Sequence, residues 1–233
     1  MRRQTVFITG ATAGIGRATA EEFAKHGAKL ILTGRRELHL DDLEKRLKKK
    51  YQTTVFAFAC DVRDRLAVER HVAALPASWK KIDVLVNNAG LALEKKPIQE
   101  GSVEDWEVMI DTNIKGLLYV SHAVIPLMIR RRAGQIINIG SLAGREMYPS
   151  GNVYAMTKHA VVALSKGMRY DLVGQGIKVT VVNPGHVSTE FANVRYRGDA
   201  QKVADAYRGF TTLRASDVAR GVFCGNPATA CQY

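Results

Sequence analysis

Short apolar runs alternate with longer amphipathic stretches along almost the whole chain. Runs rich in Val, Ile, Thr and Phe occupy 5–9, 29–33, 54–60, 84–87, 135–140 and 178–183. Their apolar residues fall on both faces, as in parallel strands covered by helices on each side. Between them, 16–26, 38–50, 65–75, 103–132 and 152–174 carry helical patterns. Alternating strands and helices predict an α/β fold, a doubly wound parallel sheet with right-handed crossovers. Ser102, followed by Glu104 and Asp105, reads as an N-cap with an acidic first turn. Gly27 and Gly176 suit helix C-termini, and Pro126 is expected to kink the long 103–132 pattern.

Composition narrows the picture. A chain of 233 residues fits a single domain, 1–233, better than two. No apolar run approaches the roughly 20 residues that span a bilayer. The N-terminus runs straight into a strand-like stretch without a signal-peptide core, so the chain reads as cytoplasmic and not membrane-bound. Cys60, Cys224 and Cys231 have no regular spacing, which argues against a disulfide framework, and no Cys/His cluster has metal-ligand spacing. The net charge of +12 concentrates in 45–50 and 130–132, both at helix ends where cations complement the dipole. No recognition helix or aromatic stripe accompanies these residues, so no nucleic-acid partner is expected. The charge can still attract an anionic substrate and a phosphorylated cofactor.

Chemistry begins at 9–16, where Gly10, Gly14 and Gly16, with Thr12 and Ile15 among them, follow the first strand and open the first helix. Glycines there let the backbone approach a pyrophosphate, and the helix N-terminal amides face its charge. In a strand–turn–helix unit this is a Rossmann-type dinucleotide cradle. After the second strand, NAD binders place an acid on the ribose 2′-hydroxyl. This chain has Arg35 and Arg36 there, which can pair with a 2′-phosphate, so NADP(H) is the expected cofactor. Asp61 and Val62, after the third strand, either read the adenine ring or belong to the cap of the helix beginning near Asp64.

Tyr154 and Lys158 lie four residues apart and share one helical face. A neighbouring cation favours the phenolate, so the phenol is expected to be tuned below its usual value of roughly 10. Such a group takes a proton from an alcohol, or gives one to a ketone, as hydride moves.

Thr9-Gly10 with Gly14 and Gly16, Asn87-Asn88-Ala89-Gly90, Asn113, Ser141, Tyr154 with Lys158, and Asn183-Pro184-Gly185 with Thr189 occur in one order over nearly the whole chain. In this set the chain resembles the short-chain dehydrogenase/reductase family. The stretches 33–36, 102–113, 151–154 and 191–199 resemble its NADP-dependent 3-hydroxy acid dehydrogenases, also described as serine or allo-threonine dehydrogenases. The resemblance implies that Ser141 orients the substrate oxygen, Asn113 joins a proton relay and Lys158 holds the nicotinamide ribose. It also implies that Asn88, Ala89 and Gly90 support the cofactor crevice, and that Pro184, Gly185, Val187 and Thr189 meet its nicotinamide half. His186 is expected to line the pocket without a catalytic role. Arg145 and Arg195 are candidates for a substrate carboxylate. The family precedent implies a homo-oligomer, a tetramer built through the two long helices.

A 3-oxoacyl carrier protein reductase shares the catalytic set, and a nicotinamide-sensing module without turnover is the reading from another class. Family members also end in a helix and a seventh strand. Here the helical pattern 216–223 runs into 224–233, which has no strand-like run, so the C-terminal strand is expected to be missing or altered.

Overall fold

The computed structural model describes residues 4–226. Six parallel strands form the central sheet: β1 (Thr5–Thr9), β2 (Lys29–Gly34), β3 (Val55–Ala59), β4 (Val84–Asn87), β5 (Gly134–Ile139) and β6 (Ile177–Val182), in the order β3-β2-β1-β4-β5-β6. The order reverses between β1 and β4, and the crevice at the strand carboxyl ends opens there, where ligands of such sheets bind. Helices α1 (Gly14–Lys25), α2 (Glu37–Tyr51) and α3 (Arg65–Ala73) connect the first four strands. Then come α4 (Val103–Ile110), α5 (Gly116–Ile129) and α6 (Asn152–Leu172). Past the sheet, β7 (Val187–Ser188) pairs in parallel with β8 (Leu213–Arg214), enclosing α7 (Phe191–Arg195) and α8 (Ala200–Asp205), and α9 (Ala215–Cys224) follows.

Alternation of side chains along each strand feeds two cores. Val6 and Ile8 of β1 pack with Phe23 of α1, Leu43 and Leu47 of α2, and Val222 of α9. Phe7, between them, faces Val72 of α3, and Val124 and Met128 of α5. Full burial of each such side chain stabilises the fold by roughly 1.5–3 kcal/mol. A third cluster, with Leu91, Met109, Val153 and Ala155, surrounds Tyr154.

The predicted helix 103–132 is interrupted, but not at its proline. Asp111–Lys115 is a π-helical segment joining α4 to α5, and Pro126 lies inside α5. The buried Asn113 sits in that bulge, where its amide leaves the helix to bind the backbone of Leu91. Ser102 caps α4 as expected, accepting from the Asp105 amide. The span Val103–Ile129 is long and apolar enough to cross a membrane, contrary to the expectation that no run qualifies. In the fold it packs against β4, α3 and α6, with Val120, Val124 and Met128 in the core. Cys60 is a free, buried thiol. The predicted loss of a seventh strand falls on 227–233, outside the described residues.

Candidate functional site

One cavity of about 420 Å³ lies at the carboxyl ends of the strands. The glycine turn forms its first wall. Gly10 has φ +64°, and a Cβ there would stand 2.9 Å from the Ala89 backbone. Only a residue without a side chain meets both demands. Gly10, Thr12, Gly14 and Ile15 line the cavity. Gly16 does not: it is buried behind the turn, where a Cβ would collide with the Gly10 carbonyl oxygen and the Asn88 side chain. Its part is packing rather than contact. Asn88 stitches β4 to the same turn, donating through Nδ2 to the carbonyls of Thr9 (2.9 Å) and Gly10 (3.1 Å). Ala89 and Gly90 continue the wall.

Arg35 and Arg36 line the far end of this wall and are exposed. Arg36 directs Nε and Nη2 at the Thr12 hydroxyl (3.3 and 3.2 Å) and pairs through Nη1 with Glu190 at 3.0 Å. Asp61 and Val62 also face the cavity. Asp64, not Asp61, caps α3 by accepting from the Ala67 amide. Burial pushes the Asp61 carboxyl upward, but bonds from the Arg63 side chain and amide and the charges of Arg63 and Arg35 outweigh it and hold it low. Cys60 lines the same wall, its thiol pushed up to about 11 by burial and by the nearby carboxylates.

At the opposite end, β5 delivers Ser141 and α6 delivers Tyr154 and Lys158 to the cavity. Ser141 caps the short turn after β5, accepting from the Ala143 amide at 3.1 Å. The Lys158 ammonium donates to the Ile139 carbonyl at 2.9 Å and stands 5.9 Å from the Tyr154 ring. Burial drives these two groups in opposite directions. It raises the Tyr154 phenol to about 12, against a hydrogen bond with Ser141 that pulls it down, and lowers the Lys158 ammonium to about 8. The expected depression of the phenol by Lys158 is therefore overturned: desolvation of the ring dominates, and the cation that pulls the phenol down is Arg195.

Asn113 does not line the cavity. Its Oδ1 accepts from the Leu91 amide, and its Nδ2 donates to the Leu91 carbonyl and to Thr157 (2.9, 2.8 and 3.0 Å). Pro184, Gly185, Val187 and Thr189 line the cavity floor. His186 points elsewhere: it is exposed and stacks on Phe210 with ring centroids 4.0 Å apart. Arg145 is also exposed, away from the cavity. Arg195 is the arginine that reaches Tyr154. Its guanidinium lies 5.5 Å from that ring, donates to the Tyr148 hydroxyl at 3.0 Å and keeps a buried Nε without a partner among the described residues.

Sequence reading missed Tyr148, Lys95, Glu190 and Phe191. Lys95 stands 5.0 Å over the Tyr148 ring, its ammonium lowered by burial and by Arg195. Phe191 packs edge-on against Tyr154 at 5.7 Å. Adjacency to Thr189 was the available signal for Glu190 and Phe191; Tyr148 and Lys95 left none.

A nicotinamide dinucleotide fits these walls. The backbone approach at Gly10, the amides at the N-terminus of α1 and the two arginines match a pyrophosphate and a 2′-phosphate.

Comparison with known proteins agrees with this arrangement. The short chain dehydrogenase family matches residues 4–199. An NADP-dependent 3-hydroxy acid dehydrogenase of Salmonella typhi is 48% identical over 219 residues, 94% of this chain and 87% of the relative. The serine 3-dehydrogenase of Agrobacterium fabrum is 41% identical over 219 residues, 94% of this chain and 86% of its own. Among solved structures, the closed form of a serine dehydrogenase complexed with NADP+ superposes with TM-score 0.89 at 46% identity, covering 95% of this chain and 88% of that one.

Proposed function

The chain belongs to the short chain dehydrogenase family, and from that premise we propose that it is an NADP-dependent dehydrogenase of short 3-hydroxy acids. Serine, allo-threonine and 3-hydroxyisobutyrate define the type. One observation carries the reading: Ser141, Tyr154 and Lys158 share a single cavity with the glycine turn and the Arg35/Arg36 pair. NADP+, when bound, accepts a hydride from the alcohol carbon, and NADPH returns it.

The protein's own groups do the rest. Tyr154 exchanges the proton at the substrate oxygen, a role worth typically 10²–10⁴ in rate. Ser141 orients that oxygen. The buried Lys158 holds the ribose side of the cofactor, and Asn113 fixes the Leu91 backbone beside it. Thr189, Val187, Pro184 and Gly185 receive the nicotinamide half, while Asp61 and Val62 receive the adenine. Arg195 binds the carboxylate, which satisfies its buried, unpartnered Nε and sets the hydroxyl against Tyr154. None of His186, Arg145 and Arg195 lines the main cavity; Arg195 is kept because it lies over the Tyr154 ring and shares a small adjoining pocket with it, whereas His186 stacks on Phe210 and Arg145 is exposed.

We read the chain as one catalytic domain acting in the cytoplasm as a homotetramer. The exposed Leu118 on α5 and Met156 and Tyr170 on α6 supply an apolar surface for such an assembly. Light scattering of the purified protein tests the subunit number.

A turnover assay tests the function. NADP+ and NAD+ are each offered with free 3-hydroxy acids, and NADPH with 3-oxoacyl groups on an acidic carrier protein. Faster turnover of the free acids with NADP+ supports the reading. Faster turnover of carrier-linked substrate favours the reductase alternative, which the net charge of +12 would suit. Cofactor binding without any turnover leaves a sensing module.

A further inference from the structure

The arginine assigned to the 2′-phosphate already has an anion. Arg36 has five N–H donors in a fixed fork. Nε and Nη2 share the single neutral oxygen of Thr12 at 3.3 and 3.2 Å, and Nη1 takes the charged oxygen of Glu190 at 3.0 Å. The last contact is the shortest and the charge-assisted one. Glu190 also lines the cavity, so its carboxylate stands where a phosphate reaching Arg36 would meet it.

The pair is also long-range. Arg36 and Glu190 are 154 positions apart, one directly before α2 and the other directly before α7. Glu190 is followed by Phe191, which packs on Tyr154, and Arg195 on the same short helix lies over that ring. The ion pair thus ties the cofactor's phosphate end to the segment that covers the reacting end.

We propose that Glu190 is a cofactor-selectivity residue, an internal competitor that holds Arg36 until a 2′-phosphate displaces it. The proposal rests on the assignment of Arg36 to that phosphate. A phosphate monoester carries close to two negative charges near neutrality, against one for the carboxylate, so it wins the guanidinium and repels Glu190. NAD has no such group and leaves the pair intact. Both partners are substantially exposed, 41% and 53% at the side chain, so the pair is weak and the competition modest. Removing it should tighten NADP binding by about two- to five-fold, most at low ionic strength.

Calorimetric titration of the free protein with NADP+, NAD+ and adenosine 2′,5′-bisphosphate tests this without turnover. The proteins are the wild type, Glu190→Gln, Arg36→Gln and the double variant. Glu190→Gln is expected to bind NADP+ and the bisphosphate about two- to five-fold more tightly and NAD+ unchanged, with no gain in the Arg36→Gln background. If Arg36→Gln weakens NADP+ while Glu190→Gln leaves it unchanged or weaker, Glu190 is no competitor and the proposal falls alone. If Arg36→Gln leaves NADP+ binding untouched, the phosphate assignment itself fails and takes the proposal with it.

Discussion

At the α1 end of the cavity, contacts run through backbone; under α7, they run between side chains. Gly10, Gly14 and Asn88 hold the first wall with carbonyls, amides and positive φ, on elements whose strands are nearly inaccessible to solvent. Phe191 and Glu190 line the second, and Tyr148 and Arg195 join it through rings and ions beside Tyr154, on two short segments. A wall built from backbone has one answer to a substitution, which is to move. A wall built from side chains can be retuned one residue at a time.

The largest expected effect separates chemistry from binding at the second wall. Tyr154→Phe is expected to lower kcat by about 10²–10⁴-fold while the NADP+ dissociation constant stays within about two-fold. Steady-state turnover paired with titration checks it, and retained turnover would remove the phenol from the proton path.

Next comes the buried lysine. Its ammonium is lowered to about 8 in the fold, against roughly 10.4 in an unfolded chain. Between those values the unfolded state binds more protons, so native stability contributed by this group rises with pH. Wild type should therefore gain on Lys158→Met by about 2 kcal/mol from pH 8 to pH 10, read from denaturant midpoints. A constant difference across that window would mean that the lysine is not desolvated. The phenol works the other way: raised to about 12, it favours the native state below about pH 10 and loses that contribution above it.

Gly16→Ala probes the backbone wall. Its Cβ would drive into the Gly10 carbonyl and Asn88, so a loss of about 1–3 kcal/mol and several degrees in Tm is expected. An unchanged melting curve would show the turn to be softer than the contacts imply.

The smallest effect sharpens the comparison at Arg195. Arg195→Gln should raise KM for a free 3-hydroxy acid roughly five- to twenty-fold and leave that for its uncharged ester nearly unchanged. Equal effects on both would place the arginine in packing only.

The strands were legible because both faces of the sheet are buried, which writes apolar residues into consecutive positions. The glycine turn was legible for a similar reason, since sterics leave little freedom at Gly10. The break in the long helix was half legible: Asn113 is a poor helix former, but Pro126 carried the stronger sequence signal and sits within α5. What spacing could not carry was burial and tertiary placement. Tyr154 and Lys158 share a helix face, yet desolvation rather than their mutual charge governs both. Arg145, Arg195 and His186 looked alike as polar residues near motifs. The fold turns His186 onto Phe210, leaves Arg145 outside and brings Arg195 over Tyr154. The Arg36–Glu190 pair joins the start of α2 to the start of α7 across most of the chain, beyond any local pattern.

The account stands or falls on where the substrate's hydrogen goes. A 3-hydroxy acid deuterated at its hydroxyl-bearing carbon, turned over with NADP+, should yield reduced cofactor carrying one deuterium per turnover. Deuterium released to water, or no reduced cofactor, would contradict it.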